Sequence, residues 1–276
     1  MAFAKTTQDD QEKHLLKAIE CFVLYAIGIC LALGYDIASY YAQVRGVDYG
    51  SCLLLSFDKM IPFTDLFIFF YFSSYITPKL LFLYTIVYKR LDVRLVRIFV
   101  CVFGITQLCA YAIFVIVPTS NSPLVDSAPN VAYLFFPEIT RWFNTTVMPL
   151  YNAFPSLHVA TNWICILYFY HITPDTAKFK SFVGATLFVI FILVLISTVT
   201  LKYHYLFDLI AGYLLAEFMF YLCFKTDILR AGNWSACLGQ KNLIFVELAV
   251  FILVFLLILL NYDSHIPFLL SPRGFS

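Results

Sequence analysis

Long apolar runs alternate with short polar connections along most of the sequence. Seven runs approach or exceed the roughly 20 residues that a helix needs to cross the hydrocarbon core of a bilayer. They cover residues 17–36, 61–82, 96–118, 154–172, 180–201, 204–224 and 242–262. Since lipid admits only helices or closed barrels, the pattern predicts an all-α, polytopic membrane helical bundle. We expect about seven transmembrane helices in a single membrane domain, residues 1–276. Pro78 predicts a kink or an end within the second helix.

Composition supports a membrane protein and argues against several other classes. Hydrophobic residues make up 62% of the chain and charged residues 13%, whereas soluble domains have about 45–50% and about 25%. A net charge of +1 argues against a nucleic-acid-binding protein, which would carry an excess of positive charge. The expected partners are therefore the bilayer and a phospholipid or other lipid-phosphate substrate.

The distribution of basic residues predicts an orientation. Twelve of the eighteen lysines and arginines flank the runs on the N-terminal side, and five lie on the opposite side. By the positive-inside rule, the N-terminal side, with its tail of residues 1–16, is cytoplasmic. Residues 155–158 and 204–208 then share the extracytoplasmic face, which is periplasmic, extracellular or lumenal. The connection 119–153 lies on that face too, either as a rim over a site or as a loosely ordered loop.

The first candidate site is the pair His204 and Asp208 at the start of the sixth run. Their spacing of four residues places both on one helix face. The carboxylate can orient one ring nitrogen and leave the other as a nucleophile. A structural His–Asp pair is the alternative.

The second candidate site is Pro155-Ser156-Leu157-His158 at the start of the fourth run. Pro155 suits the first helical position, so the following N–H groups would be free to bind an anion. Ser156 adds a hydroxyl donor, and His158 can protonate a leaving oxygen. A plain helix start with an interfacial histidine is the alternative.

These residues resemble the motifs of the type 2 phosphatidic acid phosphatase superfamily. Its second motif is PSGH, matched by Pro155, Ser156 and His158, and Ser197, His204 and Asp208 match its third motif at the right spacing. The resemblance covers residues 61–262. It is closest to the branch of inositol phosphorylceramide synthase, which is similar in having Leu inside the second motif and His-Tyr before the aspartate.

The resemblance implies a mechanism that uses no metal and no cofactor. His204 would attack phosphorus and form a phosphohistidine, with Asp208 orienting it. His158 would protonate the leaving alcohol and then activate the acceptor. Ser156, Ser197 and backbone N–H groups would bind the phosphate oxygens.

The sequence departs from the family where phosphate is normally clamped. Thr198 replaces the arginine of the third motif, and the first motif (Lys, six residues, Arg-Pro) is missing. Arg141 and Lys202 are the candidate substitutes, with interfacial anchoring as the alternative for each. Fewer cations favour a substrate with less charge, such as a phosphodiester.

Three functions follow as hypotheses. The first is a membrane lipid phosphatase acting on a lipid phosphomonoester, because water is always available as an acceptor. The second is a phosphotransferase that moves a phospho-headgroup between lipids. The third is a non-enzymatic lipid scramblase or scaffold, against which the presence of His158, His204 and Asp208 argues.

Overall fold

The computed structural model describes residues 8–88, 92–126, 135–146 and 151–225, and the regular elements within them are all helical. This confirms the predicted helical bundle. The seventh predicted run, 242–262, lies outside the described residues. The helices are α1 (Gln8–Val44), α2 (Gly50–Leu53), α3 (Ser56–Met60), α4 (Ile68–Tyr88), α5 (Val93–Ile116), α6 (Ser122–Asp126), α7 (Pro137–Thr146), α8 (Leu157–Ile172), α9 (Lys180–Thr200) and α10 (Leu206–Lys225).

Four of these helices are long and apolar enough to cross a membrane, so the chain is an integral membrane protein. They are α1, α5, α9 and α10, with mean hydropathies of 2.1, 2.3, 2.7 and 1.7 in their most apolar stretches. The second and fourth predicted spans correspond to α4 and α8. At 1.5 Å per residue, the 16 residues of α8 extend over about 24 Å, less than the roughly 30 Å of hydrocarbon.

The second span differs from its prediction at both ends. The helix begins at Ile68 rather than at residue 61, and it runs through Pro78 to Tyr88. Proline deprives the Ser74 carbonyl of its intrahelical donor. The side-chain amide of Asn162 on α8 lies 3.5 Å from that carbonyl oxygen and offers a replacement, so α4 continues against α8.

The helix α8 lies at the centre of the bundle, in contact with α4, α5, α9 and α10, while α1 packs along α5. A large apolar cluster joins α1, α4, α5 and α8 through residues such as Leu24, Phe82, Phe99 and Phe169. The central position explains why α8 is buried almost all round, and it places the first turn of α8 among its neighbours.

The connection 119–153 contains two helices, α6 and α7, and part of it packs on the bundle. The ring of Phe143 lies 5.5 Å from that of Tyr71 on α4 and 5.9 Å from that of Tyr203. The Asp65 carboxylate accepts the N–H groups of Phe135 and Phe136 at 3.0 and 2.8 Å, which holds the start of α7 on the segment before α4. The described parts of this connection therefore form a packed rim.

Candidate functional site

The turn between α9 and α10 has a defined helix-ending geometry. The N–H of Tyr203 donates to the Thr198 carbonyl at 3.1 Å, and the N–H of Lys202 donates to the Val199 carbonyl at 3.2 Å. These two bonds define a Schellman motif, whose left-handed residue is usually glycine. Here that residue is Lys202, with φ of 60°. The motif reverses the chain, and His204 follows directly after its last residue, Tyr203.

Two carboxylates neutralise the N-terminus of α10. The Asp208 Oδ2 accepts the N–H of Tyr205 at 2.8 Å, and the Asp58 Oδ1 accepts the N–H of Leu206 at 3.0 Å. Negative charge is stabilising at this end of a helix dipole. Asp208 is completely buried. Its hydrogen bond to the Tyr205 N–H fixes the carboxylate beside His204.

His204 is held through one ring nitrogen. Its Nδ1 lies 2.8 Å from the Ala153 carbonyl oxygen and 3.3 Å from Asp208 Oδ2. Both oxygens can only accept, so Nδ1 carries the proton and Nε2 carries the lone pair. Within the described residues Nε2 has no hydrogen-bond partner, and the residue is 2% exposed. A nitrogen with a free lone pair is the ring state that nucleophilic attack by histidine requires.

The first turn of α8 is docked directly on α10. Ser156 is the N-cap, so the helix starts at Leu157 rather than at Pro155 as the sequence predicted. The Ser156 N–H donates to the Asp208 carbonyl at 3.0 Å and is therefore not available to an anion. A Cβ at Gly212 would collide with the Ser156 carbonyl oxygen. Glycine thus permits the close approach that brings the two sequence motifs together.

His158 is held through both ring nitrogens. The Ser74 hydroxyl donates to the Tyr71 carbonyl at 2.6 Å, so its oxygen accepts from His158 Nδ1 at 2.9 Å. Nε2 is then an acceptor, and the Tyr71 hydroxyl donates to it at 2.6 Å. His158 is therefore connected to a polar chain on α4 that includes an exchangeable phenolic proton.

The two histidine rings are in edge-to-face contact. Their ring centroids are 5.5 Å apart at 66°. The Ser156 hydroxyl is fully buried and, within the described part of the chain, unpartnered. The N–H groups of Leu157, His158 and Val159 precede Ala160, whose N–H is the first to donate within the helix, to the Ser156 carbonyl. They belong to the positive end of α8. The two motif histidines, the Tyr71 hydroxyl and donors for an anion therefore lie together.

The other predicted phosphate ligands are engaged elsewhere. The Ser197 hydroxyl donates to the Val194 carbonyl at 2.8 Å. Lys202, 1% exposed, donates from Nζ to the Asp58 carbonyl at 2.6 Å. Burial lowers the pKa of the Lys202 ammonium, and the nearby Asp58 opposes that shift. The Arg141 side chain is 60% exposed and lies 3.7 Å from Glu138 Oε1. Their roles as phosphate ligands stay predictions.

Sequence reasoning missed three groups at the site: the Tyr71 hydroxyl, the Ser74 hydroxyl and the Ala153 carbonyl. Tyr71 and Ser74 are three residues apart inside an apolar run, which puts them on one helix face and was the available signal. A backbone carbonyl has no signal in the sequence. Among the described residues no group of three His, Cys, Asp or Glu side chains is placed to hold a metal ion.

The chain matches a known protein family. A profile described as the PAP2 superfamily matches residues 43–222, about two thirds of the chain. The chain belongs to the PAP2 superfamily. No curated protein and no solved structure matches it significantly.

Membership in the PAP2 superfamily suggests phosphatase-type or phosphotransferase-type chemistry on phosphoesters. The matched range contains both histidine motifs and their partners on α4. Most of α1, from Gln8 to Ala42, precedes it. In this PAP2 protein the two motif histidines and the groups that orient them are present, and the cations expected from the resemblance are missing from their motif positions.

Proposed function

We propose that the protein is a membrane lipid phosphatase. It would remove phosphate from a lipid phosphomonoester through a phosphohistidine on His204, at the extracytoplasmic face. The observation that carries this proposal is the state of the His204 ring. Nδ1 is oriented by Ala153 and Asp208, while the buried Nε2 lacks a partner among the described residues.

The reaction follows from the two ring environments. Nε2 of His204 forms a bond to phosphorus while the bond from phosphorus to the lipid oxygen breaks. Asp208 Oδ2 would stabilise the positive charge that develops on the phosphorylated ring. The departing oxygen would take a proton from the His158–Tyr71 pair. Water would then return that proton as it attacks phosphorus, and inorganic phosphate would leave with His204 restored.

Donors rather than side-chain cations would bind the phosphate oxygens. The Ser156 hydroxyl and the N–H groups of Leu157, His158 and Val159 lie at the positive end of α8, an arrangement that binds anions in many proteins. Arg141 and Lys202 remain candidate additional ligands. Lys202 would have to exchange its bond to the Asp58 carbonyl for a phosphate oxygen.

A phosphotransferase of the inositol phosphorylceramide synthase type is the second candidate. Burial favours it, because His204 and His158 are 2% and 5% exposed and a transferase must keep water from the phosphoenzyme. The small number of cations favours it as well, since a phosphodiester donor carries less charge. In that case an alcohol of a second lipid would replace water as the acceptor.

A radiolabelled-lipid assay tests the proposal. Purified protein would be given labelled phosphatidic acid, or a labelled phosphodiester lipid with an alcohol acceptor, and both free phosphate and new phospholipid would be measured. Free phosphate that disappears in His204→Ala supports the phosphatase. A new lipid that depends on His204, without free phosphate, would replace it with the transferase. Full turnover by His204→Ala would overturn both as reactions of His204, and absence of turnover by the wild type on either substrate would favour a scaffold or scramblase.

A further inference from the structure

An elongated cavity of about 220 Å³ lies between α1, α4, α5 and α8. We infer that it binds one hydrocarbon chain of the lipid whose phosphate is at His204, and that α1 is the helix that completes this chain-binding cavity. The inference rests on the proposed function for the position of the phosphate. It adds the apolar part of the substrate.

The cavity reaches the candidate site at His158. His158 and Ser74, which belong to the polar network, line one end of it. From there it extends along α5 over the residues between Tyr111 and Phe99, twelve positions or about 18 Å at 1.5 Å per residue. That length compares with about 15 Å for half of a bilayer's hydrocarbon. A chain attached to a phosphoester at the site would enter at His158.

The lining has the chemistry of a hydrocarbon site. Most of the lining residues are aliphatic or aromatic, and the polar exceptions include Gln107, Thr161 and Lys79. An apolar cavity of roughly 150 Å³ accepts benzene, so the volume here holds a stretch of alkyl chain. Because this volume is spread over a length of about 18 Å, the cavity is only wide enough for a single hydrocarbon chain.

The packing of the helices explains why this space exists. α1 packs along α5, whereas α4 packs against α8 and α9. α1 and α4 meet through the rings of Tyr25 and Phe82, with centroids 5.0 Å apart. Both residues line the cavity at the end away from His158. They form its floor and would set the longest chain that fits.

Gly28 on α1 offers a direct test. A Cβ built there meets no heavy atom within 4 Å, because the residue borders the cavity. We expect Gly28→Leu to fill the space without a backbone clash. The matched control is Ala26→Leu, which places the same side chain on the same helix outside the cavity lining.

The assay compares dioleoyl with dioctanoyl phosphatidic acid in nanodiscs. Gly28→Leu should lower the ratio of their kcat/KM values severalfold, because filling the cavity excludes the long chain more than the short one, and Ala26→Leu should preserve the ratio. Phe82→Ala, which opens the floor, should shift the preference towards the longer chain. An unchanged ratio in both Gly28→Leu and Phe82→Ala would overturn the inference.

Lipid retention gives a readout that does not need turnover. Native mass spectrometry of the His204→Ala protein should detect bound dioleoyl phosphatidic acid, and adding Gly28→Leu should remove it. Equal retention in both would overturn the chain-binding cavity even if His204-dependent activity stands. Turnover by His204→Ala with Gly28-dependent retention would instead refute the proposed reaction and keep the cavity.

Discussion

The two histidines of the site are alike in burial and opposite in bonding. His204, in the turn between α9 and α10, uses one ring nitrogen and leaves Nε2 without a partner in the described structure. His158, in the first turn of α8, has both nitrogens engaged by α4. The partners decide what each ring can do. In the proposed mechanism, the two acceptors at Nδ1 orient His204 for attack, and the donor at Nε2 connects His158 to an exchangeable proton.

The change with the largest expected effect removes the charge beside His204. Asp208→Asn should lower kcat by about 10³-fold, since the carboxylate both orients the ring and stabilises its cationic form. The Ala153 carbonyl still fixes the tautomer, so some activity should remain. Steady-state kinetics on the phosphatidic acid substrate would measure this.

Asp58→Asn is the matched control for that change. Asp58 also accepts an N–H at the start of α10, and its other oxygen accepts from Leu55. The Asp58→Asn variant should have a lower melting temperature, as Asp208→Asn should, but its kcat should fall far less. Equal losses of kcat would show that the carboxylates act only by capping α10.

The second change acts on His158. Tyr71→Phe removes the hydroxyl that donates to Nε2 at 2.6 Å, and it should lower kcat for an alkyl phosphate by about 10–100-fold. A nitrophenyl phosphate, whose leaving group needs no proton, should be affected much less. Ser74→Ala should give a smaller loss of the same kind. Equal losses on both substrates in Tyr71→Phe would refute the proton role of this pair.

The smallest expected effect is that of substituting Lys202. The substitution distinguishes a structural role of this residue from a role in phosphate binding. Lys202→Gly keeps the left-handed backbone, which costs a non-glycine residue roughly 1–2 kcal/mol, and removes the ammonium. If the bond to Asp58 is its main role, activity should stay within about threefold while the melting temperature moves a few degrees. A fall in kcat/KM of about a hundredfold without such a shift would make Lys202 the phosphate ligand predicted from the sequence.

The structure also indicates which features a sequence can reveal. Apolar runs predict helices because membrane helices need long apolar stretches. The spacing of His204 and Asp208 predicts one helix face, but α10 begins at Leu206, so His204 approaches Asp208 from the preceding turn instead. The irregular segment before Ile68 is not visible in the same way, because its Asp65 bonds to residues seventy positions away. The same limit applies to Tyr71, Ser74 and Ala153, which reach the histidines only through tertiary packing. The need for glycine at position 212 likewise comes from a tertiary contact, the close approach of the Ser156 carbonyl oxygen.

Trapping the phosphoenzyme is the most direct test of the central claim. Protein mixed with substrate labelled in the phosphoryl group would be quenched within one turnover, and the labelled residue would be mapped by mass spectrometry. The account predicts an acid-labile, alkali-stable phosphoryl group on His204, present in the wild type and absent in His204→Ala. Label on His158, or turnover without any labelled histidine, would contradict it.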